Sequence, residues 1–542
     1  MVRSTSFYFD KGKMALRYGV GLPRFFFKPL SLADCYALVR KRVEQREENF
    51  LAQLRRAVYN NPRSPYLQLL RHAGCEYRDA ENMVRQEGLE RTLKQLGDSG
   101  VYVSIEEFKG RRPIERSGLS FQARPEDFDN PRISATLEKT SGGSRSQGIP
   151  TRIEFDFLTD EAAAEGLLFD ELGVYGGSFL FYHNILGVFL LSVKSGTPPA
   201  HWFLPLSSKK NRLASFYAVW AGRVLGYSLP QPEPISRQEA DKVALWLAKR
   251  KRMVCKTVVW TSASGAVRVA LAAKERALDI ADTHFISGSE PLTPVREQII
   301  RGAGCSVTAR YATSETGRMG YGCGNSTQDD VHVLKNMVAV ISEAREAGST
   351  GITVNAYRIT SLLPAAPKIF INMENGDYGK LETRPCGCNF DELGLTDHLS
   401  HIRSYEKLTS EGMTFFASDL ARIVEEILPA TFGGSPLDYQ AIEEEGADGI
   451  VRVSLLVSPR VGQINEAALV DTVLGELRKN GGSARMMSKV WQEAGTLRVR
   501  REDPHPTKSG KVFSFQVETT EKGEEPRRAR SISLAAIERR SI

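Results

Sequence analysis

Residues 140–152 have the composition of an anion-binding loop. The stretch reads TSGGSRSQGIPTR and holds three glycines and five hydroxyl side chains. Glycines allow backbone N–H groups to turn inward around phosphate oxygens, and hydroxyl groups add neutral donors. A Walker loop would close with Gly-Lys-Ser/Thr and enter a helix, whereas Ile149, Pro150 and Thr151 favour an outgoing strand. A plain flexible turn of the same composition is the alternative interpretation.

A second set of residues has the types found in metal sites. Cys323 and His332 are separated by eight residues and are followed by Cys386 and Cys388. Three thiolates and one imidazole are the ligand set of a closed tetrahedral Zn²⁺ site, whose role is structural because no position is left for water. Ordinary free thiols and an unrelated histidine are the alternative.

Composition sets limits on the class of protein. With 542 residues the chain is long enough for two or more domains, and its net charge of +7 is too diluted to indicate a nucleic-acid partner. The longest apolar run, residues 179–193, is interrupted by His183 and Asn184 and is shorter than the roughly 20 residues of a membrane span. We find no secretory segment, and seven cysteines do not indicate a disulfide framework. We expect a cytoplasmic protein without a membrane span.

The elements that must position these residues indicate an α/β fold. Residues 31–125 show helical spacing and predict a helical layer, and residues 160–320 alternate between helices and short apolar strands. Such alternation predicts a parallel, helix-covered sheet with ligands at the carboxyl ends of its strands. Residues 287–291 and 311–317 fall at such ends. A compact α+β unit follows residue 403, and residues 521–542 have the composition of a loosely ordered tail.

Taken in order, seven stretches resemble motifs of the adenylate-forming superfamily of acyl-CoA synthetases, in particular its phenylacetate-CoA ligase-like branch. They are the phosphate loop (140–150), the adenine-pocket turn (287–291), the Tyr-x-x-Ser/Thr-Glu motif (311–315), the ribose-binding Gly376-Asp377, the hinge (403–408), the glycine loop (412–420) and the catalytic-lysine turn (508–511). The resemblance spans about residues 65–517. It implies a large N-terminal adenylation domain with helix-covered sheets, residues 1–402, and a small mobile α+β C-terminal domain, residues 403–520, after a hinge near Arg403 and Tyr405.

The resemblance implies ATP-dependent activation of a carboxylic acid, aryl or fatty, as acyl-AMP, followed by transfer to coenzyme A. Lys511, Glu315 and Arg403 would be catalytic, with Glu315 also holding Mg²⁺. The residues implied for the nucleotide are Thr140, Ser141, Gly142, Gly143 and Ser144 at the phosphates, Ser289 and Glu290 at the adenine pocket, Tyr311 stacked on adenine, Ser314 at the α-phosphate and Asp377 at the ribose. The same branch often carries a zinc cluster at positions that match Cys323, His332, Cys386 and Cys388.

Several departures from the family pattern leave alternatives open. The phosphate loop has about three extra residues (145–147), Tyr405 stands at a hinge position that is usually Asp or Lys, and residues 371–374 replace the branch's Arg-Tyr pair. The acceptor could be coenzyme A, an acyl carrier protein or a direct nucleophile, and an inactive interaction protein on this fold is the non-enzymatic alternative. His183 could gate an acyl pocket lined by residues 180–190, 260–265 and 287–317, or be a core histidine. A homodimer stays open.

Overall fold

The structure is a computed structural model. It describes residues 5–140, 149–183, 186–205, 212–254, 256–288, 290–346, 353–404, 409–410, 413–414, 417–445, 451–479, 497–506 and 512–518. Six of the sequence-predicted site residues, Ser141, Gly142, Gly143, Ser144, Ser289 and Lys511, lie outside these ranges, as do the hinge residues 405–408 and Gly412. Of Thr140 only the backbone is described.

Two helix starts predicted from the sequence are present in the structure. Ser236 and Glu239 form the predicted capping box, and Thr293 caps a helix that starts at Pro294. The helices are α1 (Thr5–Phe27), α2 (Leu32–Glu44), α3 (Arg46–Gln53), α4 (Pro65–His72), α5 (Tyr77–Glu87), α6 (Leu89–Asp98), α7 (Ile105–Phe108), α8 (Phe155–Glu171), α9 (Leu186–Lys194), α10 (Arg212–Val224), α11 (Ala240–Lys251), α12 (Ala263–Glu275), α13 (Pro294–Gly302), α14 (Ala417–Arg422), α15 (Leu428–Phe432) and α16 (Glu466–Lys479), with π-helical turns at Leu54–Tyr59 and Ile423–Ile427.

The strands are β1 (Val103–Ser104), β2 (Ile114–Arg116), β3 (Leu119–Phe121), β4 (Leu137–Thr140), β5 (Pro150–Ile153), β6 (Ser178–Tyr182), β7 (His201–Pro205), β8 (Glu233–Ile235), β9 (Thr257–Ser262), β10 (Thr283–Gly288), β11 (Ser306–Thr313), β12 (Gly317–Tyr321), β13 (Val331–Val333), β14 (Val338–Glu346), β15 (Thr353–Ser361), β16 (Met373–Thr383), β17 (Asp397–Ser404), β18 (Thr409–Ser410), β19 (Met413–Thr414), β20 (Tyr439–Glu445), β21 (Val451–Val457), β22 (Leu497–Arg500) and β23 (Phe515–Glu518). Their alternation with helices confirms the predicted α/β class.

One large sheet forms the centre of the described part of the chain. Its strand order is β14-β15-β16-β17-β13-β12-β11-β10-β9-β6-β7-β8, with β1 paired to β16. The strands from β8 to β11 run parallel, as the sequence predicts, and are joined through helices. From β11 onward every pairing along this order is antiparallel. The parallel sheet predicted for residues 160–320 is therefore confirmed for β6 to β11, and within that range only β12 pairs antiparallel.

Two groups of helices pack beside this sheet. Helices α3 to α6 bury their apolar sides in a cluster with strand and loop residues such as Leu362, Phe370 and Met373, which forms the predicted helical layer. Helix α1 is a feature that our sequence analysis did not identify. Its residues Leu22, Phe25 and Phe26 are buried in the main core, beside α8 and α10.

The C-terminal elements have a separate apolar cluster. Strands β20 to β23 form a four-stranded sheet in the order β22-β21-β20-β23, and α14 to α16 accompany it. Leu420, Tyr439, Leu455 and Leu474 belong to this cluster and not to that of the large sheet. We call these strands and helices the C-terminal unit.

Asn372 joins the helical layer to the large sheet. Its backbone lies in the left-handed region, with φ of 53°, and its side chain is fully buried. The side-chain amide donates to the carbonyl oxygens of Leu93 at 2.7 Å and Val101 at 3.1 Å. Asparagine suits this position because it tolerates left-handed backbone and can donate to two carbonyl groups.

We expect Asn372→Ala to lower the free energy of unfolding by about 2–4 kcal/mol, because two buried carbonyls lose their donor and alanine tolerates positive φ poorly. Asn60 is exposed, and Asn60→Ala should change the same quantity by less than about 0.5 kcal/mol. Urea unfolding followed by tryptophan fluorescence measures both. Equal stability of the two variants would contradict this role of Asn372.

Candidate functional site

The structure brings Tyr311 and Asp377 into direct contact. The Tyr311 hydroxyl donates to Asp377 Oδ2 at 2.7 Å. Tyr311 lies on β11 and Asp377 on β16, and three strands separate these two in the sheet order. Four inter-strand spacings of about 4.8 Å would hold them about 19 Å apart in a flat sheet. The antiparallel half of the sheet must therefore curl, and this curl creates a concave surface beside β11.

Asn375 completes this contact and was missed by our sequence analysis. Its side-chain amide donates to the Tyr311 hydroxyl at 2.7 Å and to Asp377 Oδ2 at 3.0 Å. Its side-chain oxygen accepts the backbone N–H of Asp377 at 3.2 Å. The Asn-Gly-Asp sequence, with Gly376 at φ of 83°, was the available signal for such a turn. Burial and the nearby Asp377 carboxylate raise the pKa of Tyr311 well above its ordinary value, so its hydroxyl stays a donor.

Ser314 and Glu315 lie in the turn that joins β11 to β12, directly after Tyr311. Both are half-buried. The turn is held by Thr313, whose hydroxyl accepts the backbone N–H of Thr316 at 3.1 Å, and it ends at Gly317 with φ of 78°. A Cβ atom on Gly317 would lie 2.5 Å from the Phe157 ring of α8. The turn is thus seated against α8, which fixes the position of the Glu315 backbone.

Arg403 pairs with an acidic residue of the chain. Its guanidinium donates to Asp329 Oδ2 at 2.7 Å and to the Ile402 carbonyl at 2.8 Å. Asp329 also accepts the backbone N–H groups of His401 and Ile402, each at 2.9 Å. Arg403 is the cross-strand partner of Tyr378, next to Asp377. The Arg403 backbone therefore lies on β17 opposite the residue that follows Asp377.

The predicted phosphate loop connects two paired strands. Strands β4 and β5 are antiparallel, with Thr140 opposite Pro150, and the chain leaves the loop as a strand. This agrees with the prediction that the loop is not of the Walker type, which would lead into a helix. Residues 141–148 themselves lie outside the described ranges.

His183 and Trp260 are buried residues of the main body. The His183 ring stacks on that of Phe181, with an interplanar angle of 16°, and the His183 carbonyl accepts from Trp202 Nε1 at 3.0 Å. These contacts agree with a core histidine, one of the two interpretations that the sequence left open. Trp260 on β9 is fully buried and lies opposite Ile286 of β10.

Glu290 forms part of a buried ion network. Its carboxylate accepts from the backbone N–H and hydroxyl of Ser264, at 2.9 and 2.7 Å, and pairs with Arg296 at 2.9 Å. Arg296 also pairs with Glu425 of the C-terminal unit, at 3.1 Å, and only 2% of Arg296 is exposed. The Arg296 guanidinium donates to the Val512 carbonyl at 3.3 Å. The network therefore holds the residue that follows Lys511 against α13.

The four predicted metal ligands converge. The sulfurs of Cys323 and Cys386 are 3.7 Å apart, and His332 Nε2 lies 3.3 Å from the sulfurs of both Cys386 and Cys388. All four ligand atoms lie within 4.8 Å of one another. Bonds of about 2.3 Å to sulfur and 2.0–2.1 Å to nitrogen in a tetrahedron give separations of about 3.8 Å and 3.6 Å. The arrangement fits one zinc ion.

The surroundings of the cluster suit a cation. His332 Nδ1 lies 2.7 Å from the Leu395 carbonyl, a contact that assigns its proton to Nδ1 and leaves the Nε2 lone pair facing the sulfurs. Hydrogen bonds from Cys388 and His332 lower the pKa of Cys323, whereas burial raises that of Cys386, and the bond to Cys323 raises that of Cys388. Without a cation the site therefore favours one thiolate. Three thiolates at this distance need the positive charge of a metal.

Comparison with protein-family models finds no match, and comparison with curated proteins finds none. Among solved structures, a 2-hydroxyisobutyryl-CoA ligase in complex with 2-HIB-AMP matches over 91% of both chains, at 13% identity and a TM-score of 0.47. An anthranilate CoA ligase in complex with anthranoyl-AMP matches 73% of this chain and 67% of its own, at 13% identity and 0.43. The acetoacetyl-CoA synthetase from Streptomyces lividans matches 74% and 56%, at 12% identity and 0.42. We rest the functional proposal on this chain's own residues.

No helix in the described ranges combines the length and apolarity that crossing a membrane requires.

We expect Arg296→Met to lower the free energy of unfolding by about 3–5 kcal/mol, because Glu290 and Glu425 would stay buried without their counter-charge. Arg301 on the same helix is a matched control. Its side chain is about half exposed and pairs with Glu297, so Arg301→Met should cost less than about 1 kcal/mol. Urea unfolding and limited proteolysis near residue 425 measure the difference. An equal loss of unfolding free energy in the two variants would show that the buried network stabilises the protein no more than a surface ion pair does.

Proposed function

We propose that this protein is an ATP- and Mg²⁺-dependent acid ligase that forms an acyl-AMP and passes the acyl group to coenzyme A. The observation that carries the proposal is the contact between Tyr311, Asn375 and Asp377, which come from motifs more than 60 residues apart. An aromatic ring, an amide and a carboxylate on one concave surface suit a nucleoside, because the ring can stack on a base and the carboxylate can accept two ribose hydroxyls.

The first half-reaction joins the acid to AMP. An oxygen of the substrate carboxylate attacks the α-phosphorus of ATP, the bond to the β-phosphate oxygen breaks, and pyrophosphate leaves with that electron pair. Negative charge builds on the phosphate oxygens, so catalysis depends on positioning and on electrostatic stabilisation. Thr140 and residues 141–144 would hold the outgoing phosphates. Glu315 would hold Mg²⁺, which prefers few carboxylates and several phosphate or water oxygens.

The other predicted site residues would contact different parts of the nucleotide. Ser314 would contact the α-phosphate, and Ser289 and Glu290 would line the adenine side, with the Glu290 carboxylate fixing its turn through Ser264. Arg403, held by Asp329, would face the ribose or phosphate. Lys511 would bridge the attacking carboxylate and the α-phosphate as a mobile point charge. The carbonyl of Val512, the next residue in the chain, accepts a hydrogen bond from Arg296.

In the second half-reaction a thiolate of coenzyme A would attack the acyl carbon and displace AMP. A carrier protein or a direct nitrogen or oxygen nucleophile would undergo the same substitution, and the product masses distinguish the three acceptors. An interaction protein on this fold would give no acid-dependent ATP chemistry and no ATP binding by calorimetry. The proposed site of action, the cytoplasm, also suits cysteines that must stay reduced to bind a metal.

Acid-dependent exchange of labelled pyrophosphate into ATP tests the first half-reaction. We expect Asp377→Asn to reduce the exchange rate by about tenfold or more, because charge-assisted hydrogen bonds to the ribose contribute about 1.5–3 kcal/mol. Asp279 is exposed and pairs with Lys251 far from the site, so Asp279→Asn should leave exchange unchanged. The proposal fails if wild-type protein shows no exchange with any aryl or fatty acid, or if both variants lose activity equally.

The Cys323, His332, Cys386 and Cys388 cluster would hold one structural zinc ion per chain. Cys386→Ser combined with Cys388→Ser should remove the zinc and lower the melting temperature, because the metal would join segments more than 50 residues apart. Cys75 is buried away from the cluster, so Cys75→Ser should retain full zinc content. Metal analysis of protein purified without chelator measures the stoichiometry. A zinc-free wild-type protein with an unchanged melting temperature after addition of chelator would contradict the site.

A further inference from the structure

A cluster of buried charged and aromatic residues lies between α8 and strands β9, β11 and β12. Its members are Glu161, Glu165, Trp260, Arg310, Arg318 and Tyr321, which we call the Arg310 cluster. All of them are at least nine-tenths buried. Buried charge in a protein is stable only when it is paired or when a ligand compensates it.

Within this cluster Arg318 is compensated. Its guanidinium pairs with Glu161 Oε1 at 2.9 Å, and its backbone N–H donates to the same oxygen at 3.2 Å. A second guanidinium nitrogen of Arg318 lies 3.9 Å from Glu165. Arg318 and Glu161 therefore neutralise each other and have a structural role.

Arg310 differs from Arg318 in having no such partner in the described ranges. Among the described residues it makes no hydrogen bond and no ion pair, although only 9% of it is exposed, and its Nε atom is buried without an acceptor. Its guanidinium carbon lies 4.6 Å from the centre of the Trp260 ring, and a Cβ atom on Gly288 would come within 2.6 Å of Arg310 Nε. The Trp260 ring and the bare backbone of Gly288 thus hold the guanidinium in place without supplying a negative charge.

Other buried groups of the cluster also have no hydrogen-bond partner in the described part of the chain. The donors are Trp260 Nε1, the Tyr321 hydroxyl and two nitrogens of Arg318, and the acceptors are both oxygens of Glu165 and one of Glu161. Burial raises the pKa of Glu165 to about 8, so this carboxyl is mostly protonated at neutral pH. Burial lowers the pKa of Arg310 to about 10, which still leaves it charged. Arg310 thus has no counter-charge within ion-pair distance in the described part of the chain, and Trp260 and Tyr321 add two unused neutral donors, which is the chemistry of an anion site.

Three residues connect the cluster to segments of the proposed nucleotide site. Arg310 directly precedes Tyr311 on β11, so the two side chains point to opposite faces of the strand. Lys139, one residue before Thr140 and the phosphate loop, lies 3.8 Å from Glu161. A Cβ atom on Gly317, which ends the Glu315 turn, would come within 2.6 Å of Glu161 Oε1. The cluster therefore adjoins the segments proposed to hold the phosphates and Mg²⁺, beside which the acid would bind.

We propose that the acid activated by this protein carries a second anionic group, such as a second carboxylate, which pairs with Arg310 and accepts from Trp260 Nε1 and the Tyr321 hydroxyl. This inference rests on the proposed acid activation and specifies its substrate class. A simple fatty or aryl acid would bury Arg310 against an apolar surface and leave its charge uncompensated. The second anionic group is bound and takes no part in the chemistry.

Matched acids that differ only in this group test the inference. We expect wild-type protein to activate isophthalate over benzoate, or adipate over hexanoate, by at least 100-fold in kcat/KM for pyrophosphate exchange. Arg310→Met should reduce the value for the preferred diacid at least 100-fold and leave that for the monoacid unchanged or raised. Arg310→Lys should retain part of the preference. Arg276 pairs with Asp241 on the surface, so Arg276→Met should change neither value.

Melting temperature separates a binding role from a structural one. An arginine kept for substrate binding leaves a charge buried without a partner, so Arg310→Met should keep or raise the melting temperature of the ligand-free protein. A lower melting temperature with equal loss of activity toward both acids would overturn the inference in favour of a structural role. A wild-type protein that prefers monoacids, with Arg310→Met unchanged, would overturn it while leaving the acid ligase intact. Absence of exchange with every acid would overturn both.

Discussion

The cost of removing charge from water governs how distant parts of this chain are joined. A buried ion is stabilised by a counter-charge or a metal, and three such contacts here connect segments far apart in sequence. Arg318 on β12 meets Glu161 on α8, and Arg296 on α13 meets Glu425 in the C-terminal unit. The thiol groups of Cys323 and Cys386 meet at His332. Apolar packing supplies the bulk of the stability, and these polar contacts define which elements face each other.

The curl of the large sheet gives these contacts a functional consequence. In its parallel half the strand ends share one edge, and side chains there belong to neighbouring strands. In its antiparallel half the sheet bends until β16 faces β11, which the Tyr311–Asp377 hydrogen bond of 2.7 Å requires. The nucleoside site that we propose on this surface would thus take its aromatic ring from β11 and its carboxylate from β16. The Arg310 cluster lies behind the same strand, on its opposite face.

The sequence could predict elements whose signals are local. The capping box at Ser236, the Pro294 helix start and the β9 strand around Trp260 are examples, and the spacing of Cys323, His332 and Cys386 indicated a cluster that the structure brings together. Contacts that depend on tertiary packing could not be predicted. Arg296 has two ion-pair partners, and Arg310 has none among the described residues. The sequence around each arginine does not show this difference. The antiparallel half was not predicted because the direction of a strand relative to its neighbour depends on the connection between them. The spacing of apolar residues within a strand does not reveal that connection.

The charges of the Arg296 network bear on how the C-terminal unit could move. One guanidinium faces two carboxylates, Glu290 from the main body and Glu425 from the C-terminal unit. If the C-terminal unit separated from α13, Glu425 would pass into water, while Arg296 would keep Glu290 as a balanced pair. Separation would therefore leave no unpaired charge buried in the main body, unlike the breaking of a simple two-residue bridge. Three charges of this kind are therefore separated at lower cost than a buried bridge of two residues.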